Sequence, residues 1–343
     1  MSIKPGALRF NTDSMKMEIF RGSANYEGSA SMAGIGTLAA GQWEEIVATS
    51  PEAQTGGARG VFGGGELSFG SYEVDINYVT ISTTGNALDF GDLTQARGKI
   101  TSFSSSTRGV WAQGEITPTS PGSSDVIDYV TISSTGNAAD FGNLQQAANR
   151  GVALSNATRG IISGGTPTNL QYVTIASTGN AITFGDFTTN RSDLAGFSSS
   201  TRGIFAGGFT PTIVNTIDFI TISTLGNAAD FGDLTVARMG MDGCSNSVRG
   251  LIMGGYNAPA FTADATIDYV TIATLGNAVD FGDQINAGGD GAFSSSTRAI
   301  TLPSGNVMEY VQIMSTGNAI DFGDTFNNSA NYKAGCSNGH GGL

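Results

Sequence analysis

Apolar positions along this chain come in short bursts cut by glycine, and no stretch keeps the three-to-four residue spacing of an amphipathic helix. The burst "IDYVTI" at 127–132 carries apolar residues on both faces, as expected of a strand covered on both sides by neighbouring sheets. Upstream bursts such as "GFSSS" (196–200) and "GIFAGG" (203–208) meet at a Thr-Arg-Gly turn, and the second ends on a glycine doublet. Downstream, "STGN"-type tetrapeptides predict a tight turn, and "AADFGD" (228–233) returns as an outer strand. The pattern therefore predicts four short antiparallel strands and then starts again.

Two phrases carry the repetition. The first, of the type "YVTISTTGNALDFGD", has its turn glycine at Gly85, Gly136, Gly179, Gly226, Gly276 and Gly317. The second, of the type "TRGIFAGG", has its arginine at Arg59, Arg108, Arg159, Arg202, Arg249 and Arg298. A four-stranded unit of this size cannot bury two apolar faces alone, so six must pack radially as a six-bladed β-propeller, with a solenoid as the structural alternative. The first unit lacks its own inner segment, and "NYKAGCSNGHGGL" at the other end supplies one. Residues 333–339 are thus expected to close the ring as the C-terminal strand, removing exposed sheet edges.

The succession of arginine-glycine, glycine doublet, variable loop and aromatic third strand resembles the kelch repeat over residues 59–343. That resemblance implies a kelch-like propeller fold. The usual outer-strand tryptophan is missing, and Phe90, Phe141, Phe184, Phe231, Phe281 and Phe322 stand in its place. Residues 1–47 do not repeat. "ALRFNT" and "KMEIFRG" read as a β-hairpin, with "QWEEIV" as a possible third strand. Gly6, Leu8, Arg9, Phe10, Asn11, Thr12, Met17, Glu18, Ile19, Phe20, Gly22 and Trp43 together resemble a small module of bacteriophage tail-fibre and other virion proteins. The resemblance implies an N-terminal assembly or attachment module, followed by a linker at 48–58.

Composition narrows the partners. Sixteen Lys and Arg against 29 Asp and Glu give a net charge of −13, which disfavours nucleic acid, because phosphate binding rests on clustered cations. Neither a run of apolar residues long enough for a membrane span nor an apolar leader is expected.

Candidate chemistry is sparse. The "DFGD" carboxylates (Asp89/Asp92, Asp230/Asp233, Asp280/Asp283, Asp321/Asp324) read as solvated turn residues rather than a calcium set, so no metal or cofactor is assigned. The six arginines should form a ring at one mouth of the channel, either binding an anion or forking to a carboxylate or carbonyl of the adjacent blade. A single histidine, His340, rules out a histidine triad spread over loops, and no catalytic residue is assigned. The loops after the glycine doublets differ most between units, and Phe69, Tyr72, Tyr256 and Phe261 on them are the candidate binding aromatics. Cys244 and Cys336 align with Phe103, Leu154, Phe197 and Phe293, which predicts buried free thiols.

The expectation is a structural protein of a tailed-phage virion, made in the host cytoplasm and carried on the tail as a fibre or exterior part. Its partners would be other tail proteins, a host-surface glycan or receptor, and further copies of the chain. A lectin-type propeller and a glycosidase-like propeller are the alternatives.

Overall fold

The computed structural model describes the backbone of residues 8–11, 16–21 and 42–45, and residues 58–117, 122–163, 169–303, 305–326 and 330–343 in full. The chain divides into two compact units, Met1–Ser50 and Pro51–Leu343. In the first, Leu8–Asn11, Lys16–Arg21 and Gln42–Glu45 form a three-stranded antiparallel sheet, with Phe10 opposite Met17 and Phe20 opposite Trp43. The expected linker, apart from Ala58, lies outside the described residues.

The second unit is all-β and propeller-like, with no helix among the described residues. No described helix is therefore long and apolar enough to cross a membrane. The four-stranded sheets share one order: inner, second, third, outer. Sheet 1 consists of Ala334–Ser337, Arg59–Gly63, Asp75–Thr80 and Leu88–Asp92. Its inner strand comes from the far end of the sequence, with Cys336 opposite Val61. Sheet 2 holds Thr101–Ser104, Arg108–Ala112, Ser124–Thr131 and Ala139–Ala148; sheet 3 holds Ala153–Ser155, Arg159–Ser163, Asn169–Thr174 and Ile182–Asp186. Sheet 4 holds Ala195–Ser198, Arg202–Ala206, Thr216–Thr221 and Ala229–Asp233; sheet 5 holds Asp242–Ser245, Arg249–Met253, Thr266–Thr271 and Val279–Asp283. Sheet 6 holds Ala292–Ser294, Arg298–Thr301, Val307–Gln312 and Ile320–Asp324.

The third strands show why the sheets need each other. Ile217 and Asp218 point to opposite faces, yet both are 0% exposed, so each face is covered by a neighbour. At the inner edge, each strand-ending serine donates its hydroxyl to the carbonyl of its counterpart in the preceding sheet. The bonds run Ser155 to Ser104, Ser198 to Ser155, Ser245 to Ser198, Ser294 to Ser245, Ser337 to Ser294 and Ser104 to Ser337. Every one of these buried hydroxyls is thereby satisfied.

One local expectation changes. The segment around Gly226 does not close a tight hairpin; after a short turn it runs along the outer strand of the preceding sheet. Gly226 N donates to Phe184 O (3.1 Å), Ala228 N to Asp186 O (2.8 Å), and Asp186 N to Asn227 Oδ1 (3.1 Å). The same three bonds tie Gly136–Ala138 to Phe90 and Asp92, and Gly85–Ala87 to Phe322 and Asp324. A clip to the neighbour satisfies polar backbone that a two-residue hairpin would have satisfied internally.

The glycine of each Arg-Gly pair lies beneath the inner-strand apolar residue of the preceding sheet. A Cβ at Gly250 would stand 1.9 Å from Phe197, one at Gly160 2.1 Å from Phe103, and one at Gly60 2.1 Å from Phe293. Sheet 6 has Ala299 there instead, and the facing residue is the small Cys244, in the same buried cluster. Cys244 therefore marks where the inner strand yields room for a methyl group, whereas Cys336 faces a glycine, Gly109. Both thiols are free and buried, and burial pushes their pKa values up.

Candidate binding face

The variable loops leave the ends of the second strands, next to the start of the inner strands. Their bases are pinned by arginines that sequence reading passed over. Arg97, Arg191 and Arg238 are nearly or fully buried, and their Nη2 atoms lie 2.5, 2.6 and 2.7 Å from Asp128, Asp218 and Asp268 Oδ2. The second arm of Arg238 donates to Gly254 O (2.8 Å) and Thr266 O (2.6 Å), and that of Arg97 to Gln113 O (2.9 Å) and Val126 O (2.8 Å). Burial lowers the Arg97 and Arg191 pKa values, while the adjacent carboxylates oppose that shift. Thr94, Thr188 and Thr235, each three residues before its arginine, donate to the same carboxylates. The signal was present as T-x-x-R recurring ahead of "ID[YF]" in three units.

The four candidate aromatics take different roles. Phe69 tips the hairpin formed by Glu66–Ser68 and Ser71–Tyr72 and is 85% exposed. Phe261 is 55% exposed, and its ring lies 6.4 Å from Phe209 on the loop of the adjacent sheet. Tyr72 is drawn inward, donating to Glu115 Oε1 at 3.0 Å; burial and that carboxylate push its pKa up to about 12. Tyr256 is partly buried in a small ladder opposite Met239.

The six recurring arginines lie between sheets rather than around the central cavities. Arg59, Arg108, Arg159, Arg202, Arg249 and Arg298 donate to the carbonyls of Ile132, Ile175, Ile222, Ile272, Ile313 and Ile81 on the next sheet. Each guanidinium also covers the third-strand aromatic of its own sheet, 4.1 Å from Tyr269 for Arg249 and 4.7 Å from Phe219 for Arg202. That aromatic in turn meets the outer-strand phenylalanine edge-on, as in Tyr129–Phe141 at 5.8 Å.

Where the inner strands begin, all six sheets line a polar cavity of about 130 Å³. Lys99 Nζ sits 2.5 Å from Glu115 and 3.5 Å from Glu66, and Arg150 lies 3.6 Å from Asp193. On the far side, Asp242 Oδ2 accepts from Gly291 N (2.9 Å), and Asp290 Oδ1 accepts from Tyr332 N (2.8 Å). Burial, aided by Asp290, raises the Asp242 pKa to about 8, and burial lowers that of Lys333 against the pull of both acids.

The opposite end of the inner strands holds residues 338–343. His340 Nε2 lies 3.0 Å from Ser104 O, its Nδ1 accepts from Gly342 N (3.1 Å), and Gly341 N donates to Ser245 O (2.8 Å). These partners require the neutral Nε2–H tautomer, and burial lowers the pKa to about 4. No protein-family model matches this chain, and no curated protein matches it.

Proposed function

We propose that the six sheets are the blades of a closed six-bladed, kelch-like β-propeller, and that the protein is a structural component of a tailed-phage virion. In this reading the loop face meets a host surface or a neighbouring virion protein, and the N-terminal sheet anchors the chain. The cyclic serine series and the pairing of Ala334–Ser337 with Arg59–Gly63 support closure. The phage setting rests on the N-terminal motif.

One observation carries the binding role. The arginines and inner-strand serines that recur from unit to unit are spent on contacts between sheets, whereas Phe69 and Phe261 on the variable loops stay exposed. Rigid repeats with aromatic residues on divergent loops form a binding scaffold. The test has two parts: antibody labelling of purified phage particles, and competition of phage adsorption by the isolated chain. The expected result is labelled tails, together with competition that weakens in Phe69→Ala and Phe261→Ala. Unlabelled particles combined with unaltered adsorption would sink the proposal.

A further inference from the structure

The cavity at the start of the inner strands is where the repeats part company. Four residues before the inner-strand apolar position, the units carry Lys99, Arg150, Asp193, Gly240, Gly289 and Tyr332. Lys99, Arg150, Asp193 and Tyr332 have φ of 52°, 55°, 57° and 57°, the left-handed region that Gly240 occupies at 62°. Glycine adopts this conformation without steric penalty, and side-chain-bearing residues do not. Four units thus keep a functional side chain where the fold has a strain-free alternative, and strain held in this way concentrates at ligand sites.

The chemistry of the rim selects the ligand. Arg150 is 42% exposed at the side chain and is paired with Asp193 at 3.6 Å, an ion pair longer than a hydrogen bond. Tyr332 is 37% exposed and lines the same cavity as Arg150 and Asp193, with Lys99 Nζ 5.6 Å from the centre of its ring. An anion entering here meets Asp193, Asp242 and Asp290, and a cation meets Lys99, Arg150 and Lys333. An uncharged polyol finds donors and acceptors side by side with an aromatic face. The cavity of roughly 130 Å³ is on the scale of a single small ring.

We propose that this mouth binds one neutral hexose ring, its apolar face on Tyr332 and its hydroxyls shared between Arg150 and Asp193. The site extends the attachment reading above and rests on it only for the source of the sugar.

Saturation-transfer NMR on the full chain tests it, with methyl glucoside, galactoside and mannoside and N-acetylglucosamine as probes. Transfer to at least one sugar is expected. Tyr332→Gly and Arg150→Gly should weaken it by about tenfold or more, roughly 1.4 kcal/mol each. Both variants should hold or raise the melting temperature, because glycine suits the backbone there and the Tyr332 N–H bond to Asp290 survives. A purely structural side chain would lower it. If a glycine variant loses its cooperative melt, Tyr332→Asn replaces it, since asparagine tolerates the same conformation. Absence of transfer with all four probes at millimolar concentration, or transfer unchanged in both variants, overturns the site. Binding by a chain found on no virion would overturn the attachment reading alone, and adsorption without transfer would overturn the sugar site alone.

Discussion

Sheets 2, 4 and 5 differ from sheets 1, 3 and 6 in how they bury one polar residue of the third strand. In the first group it is Asp128, Asp218 or Asp268, each held by a buried arginine. In the second, Ala148, Ala287 and Ala330 stand at the arginine position, and the third-strand residue is Gln171, Glu309 or Asn77. Glu309 meets its need through backbone donors, Ile285 N at 2.7 Å and Asn286 N at 2.9 Å, and Gln171 accepts from Gln145 N at 2.9 Å. The Asn77 amide finds no hydrogen-bond partner among the described residues. A buried carboxylate requires either a countercharge, as Asp128, Asp218 and Asp268 have, or a set of converging N–H donors, as Glu309 has, whereas an amide carries no charge to offset.

Arg238→Ala should break that comparison most severely, leaving Asp268 as a buried charge without its partner, at a cost of about 3–5 kcal/mol in urea unfolding. Adding Asp268→Asn, which copies the Ala–Asn pair of sheet 1, should recover most of the loss. A double variant no more stable than Arg238→Ala alone would show that the two positions are not coupled.

Gly250→Ala comes next. The added methyl group collides with Phe197, at an expected cost of about 1–3 kcal/mol. Combining it with Phe197→Cys reproduces the Cys244–Ala299 arrangement of sheets 5 and 6. The pair should be less destabilised than the sum of the single variants, by about 1–2 kcal/mol in a double-mutant cycle. Arg202→Ala, which removes one guanidinium from Phe219 and the Ile272 carbonyl, should cost about 1 kcal/mol in the same assay.

The smallest expected effect is a pH dependence carried by His340, after the inner strand of sheet 1, and by Asp242, at the start of the inner strand of sheet 5. His340 has a folded pKa of about 4, below the ordinary value of 6.5. The unfolded chain therefore binds the proton first, and the His340 contribution is complete above pH 6.5 and lost as pH falls toward 4. The melting-temperature gap between the parent chain and His340→Gln should shrink over that window. Asp242 works in the opposite sense: its folded pKa of about 8 means that its contribution is lost as pH rises toward 8. A gap that stays constant from pH 7 to pH 4 would show that His340 does not titrate in this way.

Much of this was legible in the chain. Strand type, the period of the unit, the inner-strand register marked by Cys244, and the match of "AGCS" to the missing inner strand all follow from short patterns read along the sequence. The candidate site was less legible. Divergence of the loops points equally to Phe69, Tyr72, Tyr256 and Phe261, but Tyr72 and Tyr256 are partly buried, Tyr72 against Glu115. Whether a loop aromatic faces solvent depends on what the neighbouring sheet places opposite it, and periodicity carries no such term.

The sequence by itself determined that the chain forms repeated four-stranded units with two apolar faces, because alternation, glycine turns and strand length are local properties of adjacent residues. Only the tertiary structure decided which residues meet across sheets. Distances of a few ångströms between sheets set Gly250 under Phe197 and Arg249 against the Ile313 carbonyl, and carry the turn glycines onto the preceding outer strand. They also bring Arg150, Asp193 and Tyr332, far apart in the chain, to one rim in a strained backbone. Those contacts arise from close packing between separately formed sheets, and a strand's own pattern specifies that a face is buried without specifying what buries it.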